Sequence, residues 1–283
     1  MNNFYVSSIA FQNKNIEQIV EICLTHKFNL EFSSNLPYSK NNMELFESFG
    51  RKKLIHNYFP APKLPFVINL ASTNQDILKQ SIEHCKQNIL RTSKLKLPFY
   101  AVHAGFCLDP QIVDLEKKII SKEKINRKIN MEIFMESLKE LLEYSNKNNV
   151  ELCIENNVIS KENYESNYYQ NIFLCTDYNE IKNIIDEFKH MNLGILLDTG
   201  HLKVSSMTLN LDLNYQAQNI LKYTRAIHHS DNDGLTDLNS KIDHSYWFLP
   251  FMKDLNVVDH VVEVKNIIPK QVLNQIQILK DGI

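Results

Sequence analysis

Short apolar segments that are typical of buried strands alternate with amphipathic segments along the whole chain. The apolar segments begin with FYVSSIAF near the amino terminus and end with HVVEVKN near the carboxyl terminus, and about eight strand–helix units can be distinguished. Between them, apolar residues recur with the period of a helix, most clearly over residues 72–95. Repeated units of this kind build a parallel sheet, either an open doubly wound sheet or a closed (β/α)8 barrel.

Acids and histidines stand at the ends of the last six apolar segments. In chain order these residues are His56, His103, Glu155, Asp198, His228 and Glu263. A doubly wound sheet gathers its ligands at one switch point, whereas a barrel collects them from many strand ends at one face. The sequence also lacks a glycine-rich phosphate loop. We therefore predict an α/β fold, a (β/α)8 TIM barrel formed by a single domain over residues 1–283.

Helix starts are marked by polar residues that can accept hydrogen bonds from the free backbone N–H groups of the first turn. Ser72 or Thr73 is predicted to cap the long helix that follows the third strand. Thr176 is predicted to cap the helix that follows the fifth strand, and Pro269 is predicted to lie in the first turn of the last helix.

The composition limits the classes of partner. The formal net charge is -2 and the pI is about 6.6, so the chain lacks the basic excess of a typical duplex-binding protein, and a nucleic-acid partner is disfavoured. No apolar stretch is long enough to span a membrane, and the amino terminus lacks the pattern of a signal peptide. The five cysteines are scattered, which favours reduced thiols. These features predict a cytoplasmic protein without a membrane partner.

Carboxylates and neutral imidazoles together suit a divalent metal ion such as Mn, Co, Mg, Zn or Fe. Any one acid at a strand end is commonly a surface residue, so the prediction depends on the joint spacing of about one strand–helix unit. The plausible ligands from the last four strands are Glu155, Asp198, His228 and Glu263. Such an ion would keep open positions for substrate oxygens, and two carboxylates on opposite sides of a substrate carbon could exchange its proton.

The chain resembles the xylose isomerase-like TIM barrels, a superfamily that contains sugar isomerases, epimerases and endonuclease IV. The resemblance covers essentially the whole chain, and its most specific motifs are IENN at 154–157, LDTGH at 197–201 and IHHSDNDG at 227–234, with VEVKN at 262–266 as a supporting match. It implies that Glu155, Asp198, His228 and Glu263 bind the metal. His229 takes the place of a residue that is usually apolar in the family, so His228 is preferred as the ligand.

The same resemblance implies a metal-dependent sugar or sugar phosphate isomerase or epimerase of carbohydrate metabolism. Glu155 and Glu263 would form the acid–base pair, which transfers a proton through a metal-stabilised enediolate. His201 would contact the substrate, as would Lys265 and Asn157 on the neighbouring motifs. A dehydratase, an aldolase-type enzyme and a non-catalytic binding barrel are open alternatives on this scaffold. Barrels of this type are often dimers or tetramers, so a homo-oligomer is also open.

His56 and His103 resemble two further histidines that hold additional zinc ions in the endonuclease IV branch. They are predicted as metal ligands, and they make a zinc phosphodiesterase acting on abasic DNA the main alternative. That branch also needs an Asp-x-His pair after the seventh strand, where this chain has DLN, with Asn239 in place of histidine. The three-zinc cluster would then need a substitute such as His244.

Two long connections, over residues 105–124 and 156–176, follow the fourth and fifth strands. In a barrel both lie on the face that carries the site, where long loops often act as lids. The second contains Tyr164, Tyr168 and Tyr169, which would either stack on a sugar or base or simply pack the loop.

Overall fold

The computed structural model describes residues 3–111, 118–121, 125–255 and 258–283. Its strands are β1 Asn3–Ser7, β2 Asn29–Phe32, β3 Lys53–Ile55, β4 Tyr100–His103, β5 Leu152–Glu155, β6 Leu193–Asp198, β7 Thr224–His229 and β8 Asp259–Val262. Its α-helices are α1 Ile16–Thr25, α2 Asn42–Ser48, α3 Gln75–Leu95, α4 Arg127–Lys147, α5 Lys161–Ser166, α6 Tyr178–Glu187, α7 Thr199–Thr208, α8 Leu213–Ile220 and α9 Pro269–Asp281.

The eight strands form one parallel sheet in the order β3–β2–β1–β8–β7–β6–β5–β4. Its two outer strands approach each other through a parallel bridge between His56 and Ala101, where the backbone N–H of Asn57 donates to the carbonyl of Ala101 at 2.8 Å. The sheet is therefore a nearly closed barrel with helices between its strands. The predicted (β/α)8 fold is confirmed, and the doubly wound alternative is wrong.

The barrel interior is filled by a layer of buried side chains that is separate from the larger core between the strands and the helices. The members of this layer are Tyr5, Leu54, Phe99, Ala101, Cys153, Leu196, Ala226 and Val261. At the amino end of the strands, Arg225 pairs with Glu151 at 2.9 Å and with Asp259 at 3.0 Å. The layer is a packed core and not a pore, so the ligand site of such a barrel is expected at the carboxyl ends of the strands.

The predicted capping residues of two helices were wrong by one or two positions. Asn74 caps α3, where its side chain accepts from two backbone N–H groups, and Asp177 caps α6. The hydroxyl of Ser72 hydrogen-bonds instead to the backbone of Asn74, and that of Thr176 accepts an amide from the preceding loop. The hydroxyls of Ser72 and Thr176 are therefore engaged just outside their helices. Pro269 does begin α9.

Residues 112–117 and 122–124 of the first long connection lie outside the described residues. The second connection contains α5, and Tyr164 packs against a small apolar cluster there. Tyr168 and Tyr169 are 86% and 67% exposed, and the ring of Tyr169 meets that of Tyr164 edge to face. Among the described residues, no helix combines the length and the apolar character needed to cross a bilayer.

Candidate metal centre

The two-residue repeat of a strand explains how the sequence assembles this centre. Side chains two positions apart point to the same face of a strand. Residues of the interior layer are followed two positions later by His56, His103, Glu155, Asp198, His228 and Glu263. These six side chains therefore point toward the barrel axis, one step beyond the apolar layer.

Four of these residues converge on one point. Glu155, Asp198, His228 and Glu263 are all buried, and each offers a ligand atom that lies within 4.8 Å of the other three. Nδ1 of His228 lies 2.8 Å from Oε2 of Glu263 and 3.2 Å from Oε1 of Glu155. The same atom lies 3.8 Å from Oδ2 of Asp198. Four strands, β5 to β8, thus supply one donor group each.

Several of the converging atoms lack a well-aligned hydrogen bond. Oε2 of Glu155, Oδ2 of Asp198 and the Nδ1 atoms of His228 and His103 are buried, and among the described residues they make no well-aligned hydrogen bond, although acid–imidazole contacts of 2.8 to 3.2 Å join three of them to neighbouring groups. A buried polar atom without such a bond is costly, and a bound cation would satisfy these atoms together. Three carboxylates and an imidazole are also donors that divalent metals accept. The residues therefore fit a divalent metal ion.

A second group of donors shares Glu155 with the first. Oε2 of Glu155 lies 3.1 Å from Nε2 of His56 and 3.2 Å from Nδ1 of His103. The ligand atoms of these three residues also lie within 4.8 Å of one another. The structure thus brings the two additional predicted histidines to the same centre, and Glu155 belongs to both donor groups.

Glu31 was missed by the sequence reading. Its side chain is buried at the carboxyl end of β2, and Oε2 lies 2.9 Å from Nε2 of His228. This contact fixes the Nε2–H tautomer of the imidazole and leaves Nδ1 for an ion, as outer-shell carboxylates do at other metal sites. The available signal was an acid between Leu30 and Phe32 in an otherwise apolar strand, since a buried charge requires a partner.

Asn156 was also missed, and it joins two of the donor strands. Its side-chain oxygen accepts from the backbone N–H of Asp198 at 2.7 Å, and its amide donates to the carbonyl of Asp198 at 3.0 Å. Oδ1 of Asp198 accepts from the backbone N–H of His201 at 2.7 Å and so caps α7. One carboxylate oxygen is therefore used by the helix, and Oδ2 remains for an ion.

His201 lies beside the four-donor cluster. Its Nδ1 donates to the carbonyl of Asn156 at 2.8 Å, and its Nε2 lies 3.3 Å from Oδ2 of Asp237. Asp237 is a second partner that the sequence reading did not assign. Asn239 stands where the endonuclease branch would have histidine, and His244 is exposed in a separate groove beside Trp247 and α9. The structure therefore does not place His244 where it could replace the missing histidine of the Asp-x-His pair.

Asn157 and Lys265, the two other residues predicted to contact the substrate, lie beyond the carboxyl ends of β5 and β8. Asn157 is buried and donates to the carbonyls of Ala104, Gly105 and Leu174 at 3.0 to 3.2 Å, so its amide joins the two long connections. Lys265 is partly exposed, and its backbone N–H donates to the carbonyl of Asn239. Substrate contact by either residue stays a prediction.

The pKa values of the acids and imidazoles in the centre depend on one another. Burial alone would raise the pKa of Glu155, but the imidazoles of His103 and His56 outweigh it and hold the pKa well below its usual range. Burial alone would lower the pKa of His228, but Glu263 and the other carboxylates raise it well above the usual value. Burial and nearby acids raise the pKa of Asp198 well above its usual value. The carboxylates thus require positive charge close by.

Comparison with known proteins agrees with this architecture. A match to the "Probable endonuclease 4" of a Sulfurihydrogenibium species is 25% identical over 205 residues, and it covers 70% of this chain and 64% of that protein. A solved D-tagatose 3-epimerase-like protein is 20% identical, with a TM-score of 0.73 over 99% of this chain and 96% of the other. A Thermus thermophilus protein soaked with ZnCl2 is 14% identical, with a TM-score of 0.64 over 99% of both chains.

The solved structures are too distant in sequence to show more than the shared fold, and the match to the endonuclease spans less than two thirds of that relative's length. The family model describes the xylose isomerase-like TIM barrel, and it matches residues 10–263. This range contains every strand from β2 to β8 and all six inward-pointing donors. The chain therefore belongs to the xylose isomerase-like TIM barrel family.

Proposed function

We propose that this chain is a divalent-metal-dependent sugar or sugar phosphate isomerase or epimerase. The observation that carries the proposal is the buried four-donor cluster of Glu155, Asp198, His228 and Glu263, in which three carboxylates crowd around Nδ1 of His228 at 2.8 to 3.8 Å. These four residues would hold the ion. When bound, the ion would supply Lewis-acid polarisation of a substrate carbonyl.

Glu155 and Glu263 would carry the proton transfer. They stand on β5 and at the end of β8, which are separated in the sheet by β6 and β7, so the two carboxylates reach the centre from different sides. In the proposed reaction one carboxylate breaks a substrate C–H bond and takes the proton. The other glutamate, in its acid form, donates a proton to the opposite face, and exchange with water restores both groups.

The remaining residues would position these groups and the substrate. Asn156 holds the backbone of Asp198, and Glu31 holds the imidazole of His228 in one tautomer. His201 lies at the edge of the cluster with Asp237 beside its ring, where it could bind a substrate hydroxyl. The exposed rings of Tyr168 and Tyr169 could stack on the apolar face of a sugar.

Solvent deuterium exchange tests this proposal. The full chain is loaded with Mn2+, Co2+, Mg2+ or Zn2+ and incubated in D2O with free ketoses and their phosphates, and deuterium incorporation is followed by NMR. Wild type is expected to exchange one carbon-bound proton, and Glu155→Gln and Glu263→Gln are each expected to exchange at least about 100-fold more slowly.

The exposed Glu132 on α4 provides a control, because Glu132→Gln makes the same chemical change at a surface residue whose charged neighbour is Lys128 and not a member of the donor cluster. Metal content is measured for each variant, which separates loss of the ion from loss of the acid or base. Exchange at the wild-type rate in both glutamine variants, or no exchange by metal-loaded wild type on any sugar, would overturn the proposal.

A zinc phosphodiesterase acting on abasic DNA is the second candidate. It is favoured by the donor group of His56, His103 and Glu155 and by the endonuclease 4 match. It requires at least two zinc ions per chain, and His103→Asn should then lower the zinc content by one. Incision of an abasic duplex by wild type, lost in His103→Asn, would place this function first. No incision by fully zinc-loaded protein would exclude it.

A further inference from the structure

A buried chain of four polar side chains runs behind the metal centre, on the outer face of β7 and β8. His229 follows His228 in β7 and so points to the opposite face of the strand. Its Nε2 lies 2.9 Å from Nδ1 of His260, and its Nδ1 lies 3.3 Å from the hydroxyl of Tyr246. The hydroxyls of Tyr246 and Thr199 are 2.5 Å apart, and all four residues are at most 1% exposed.

The hydrogen positions along this chain follow from its last member. The hydroxyl of Thr199 lies 3.0 Å from the carbonyl of His228 and 3.3 Å from that of Ser230, and a carbonyl can only accept. Thr199 therefore donates, and it must accept from Tyr246. Since Tyr246 has one hydroxyl proton, it accepts from Nδ1–H of His229.

The direction of hydrogen-bond donation can be followed from His229 to His260 in the same way. A neutral His229 that donates from Nδ1 presents a bare Nε2, which accepts from Nδ1–H of His260. Burial lowers the pKa of both imidazoles, which agrees with neutral rings. Donation thus runs one way, from His260 through His229 and Tyr246 to Thr199, and ends on a main-chain carbonyl of the centre.

Thr199 connects two of the four donors. It follows Asp198 directly and begins α7, and its hydroxyl binds the carbonyl of His228 on the neighbouring strand. One hydroxyl thus fixes the backbone of the β6–α7 turn against the carboxyl end of β7. A polar chain in this position is costly to bury, whereas apolar side chains would fill the same space without that cost. Nε2 of His260, at the first member, has no hydrogen-bond partner among the described residues, but the four side chains from there to the main-chain carbonyl are linked without a break, and such a network rigidifies the groups it joins.

We propose that His260, His229 and Tyr246 are positioning residues that act through the Thr199 hydroxyl to fix Asp198 and His228 relative to each other. They thereby set the affinity and the geometry of the metal site. This inference rests on the metal site of the proposed function, and none of the three residues touches the ion or the substrate.

Cobalt(II) is the probe that tests this inference, because its visible absorption reports ligand geometry. Tyr246→Phe and Thr199→Val remove one hydroxyl each and nearly keep the side-chain shape, and Thr199→Ser is the matched control that keeps the donor. For the full-length variants, Co2+ affinity is measured by competition with a chelator, together with the cobalt spectrum and the thermal midpoint of the metal-free protein. Tyr246→Phe and Thr199→Val are expected to bind Co2+ about 10-fold more weakly, with a changed spectrum.

Thr199→Ser is expected to keep an affinity and a spectrum close to wild type. Wild-type Co2+ affinity and spectrum in Tyr246→Phe, even with a lower thermal midpoint, would mean that the hydrogen-bonded side chains only stabilise the fold. That result would overturn the inference. If Thr199→Val does not fold, Tyr246→Phe decides alone. Failure of wild type itself to bind Co2+ would overturn the proposed metal site, and the inference with it.

Discussion

Oε2 of Glu31 on β2 lies 2.9 Å from Nε2 of His228 on β7, and both side chains are buried. The pair spans the mouth of the barrel, because β2 and β7 are separated in the sheet by β1 and β8. The carboxylate holds the imidazole with Nδ1 toward the three acids and raises its basicity. The barrel thus uses one strand to orient a ligand that another strand supplies.

Glu31→Gln is expected to weaken divalent-metal binding about 10-fold, because a neutral amide still accepts a hydrogen bond but no longer raises the basicity of the ring. The measurement is competition with a chelator on the metal-free protein. Glu132→Gln on the exposed face of α4 is the control. Equal affinity in Glu31→Gln and wild type would show that this contact does not tune the ligand.

Asp198→Asn is expected to have opposite effects on the metal-free and metal-loaded proteins. Burial and the neighbouring acids raise the pKa of Asp198, so replacing its carboxylate should raise the metal-free thermal midpoint by about 3 °C. Loss of a charged donor should weaken metal binding more than about 100-fold and remove the stabilisation that metal gives. Scanning calorimetry with and without metal checks both.

Asp212→Asn is the matched control for this change, because Asp212 caps α8 as Asp198 caps α7. It should leave stabilisation by metal intact. A metal-free midpoint that falls in Asp198→Asn would contradict the charge argument.

Stability is expected to fall between pH 6.5 and pH 4, in part through His84. Burial lowers the pKa of this imidazole from 6.5 to about 4. Between these values the unfolded chain binds a proton that the folded chain does not, so the free energy of unfolding decreases as the pH falls. The full effect of this group is about 3 kcal/mol.

His84→Gln should make the pH dependence of the unfolding free energy shallower, as measured by urea unfolding across this range. His190→Gln, at an exposed imidazole, should leave the dependence unchanged. Equal slopes for His84→Gln and wild type would show that His84 is not the titrating group.

Arg225→Met is expected to destabilise the fold by about 3 kcal/mol, because it leaves two partly or fully buried carboxylates at the barrel floor without their partner. Arg225 lies 2.9 Å from Glu151 and 3.0 Å from Asp259, and its guanidinium stacks over Phe99. Metal affinity should stay at the wild-type level, because the apolar interior layer separates the floor from the metal centre. Denaturant unfolding and a metal titration measure the two properties, and a loss of affinity would contradict this separation.

Some details of the site were not accessible from the sequence. Glu31 lies within the short strand β2 and does not follow an apolar run as the predicted donors do. Its partner, His228, is 197 positions away in the sequence. Asp237 stands in a polar loop segment with nothing to distinguish it from a surface acid, and only folding brings it to His201. The caps of α3 and α6 were misplaced because adjacent polar residues compete for the same N–H groups, and the loop geometry decides between them.

The sequence by itself determined the barrel and the residue types at its mouth. Alternating strands and helices admit few folds, and the carboxyl ends of parallel strands must lie together, so donors spaced by one strand–helix unit had to converge. Only the tertiary structure decided which atoms meet. It paired Glu31 with His228, linked His229 to His260 on the outer face, and made Glu155 common to two donor groups. These choices depend on distances between strands that are far apart in sequence.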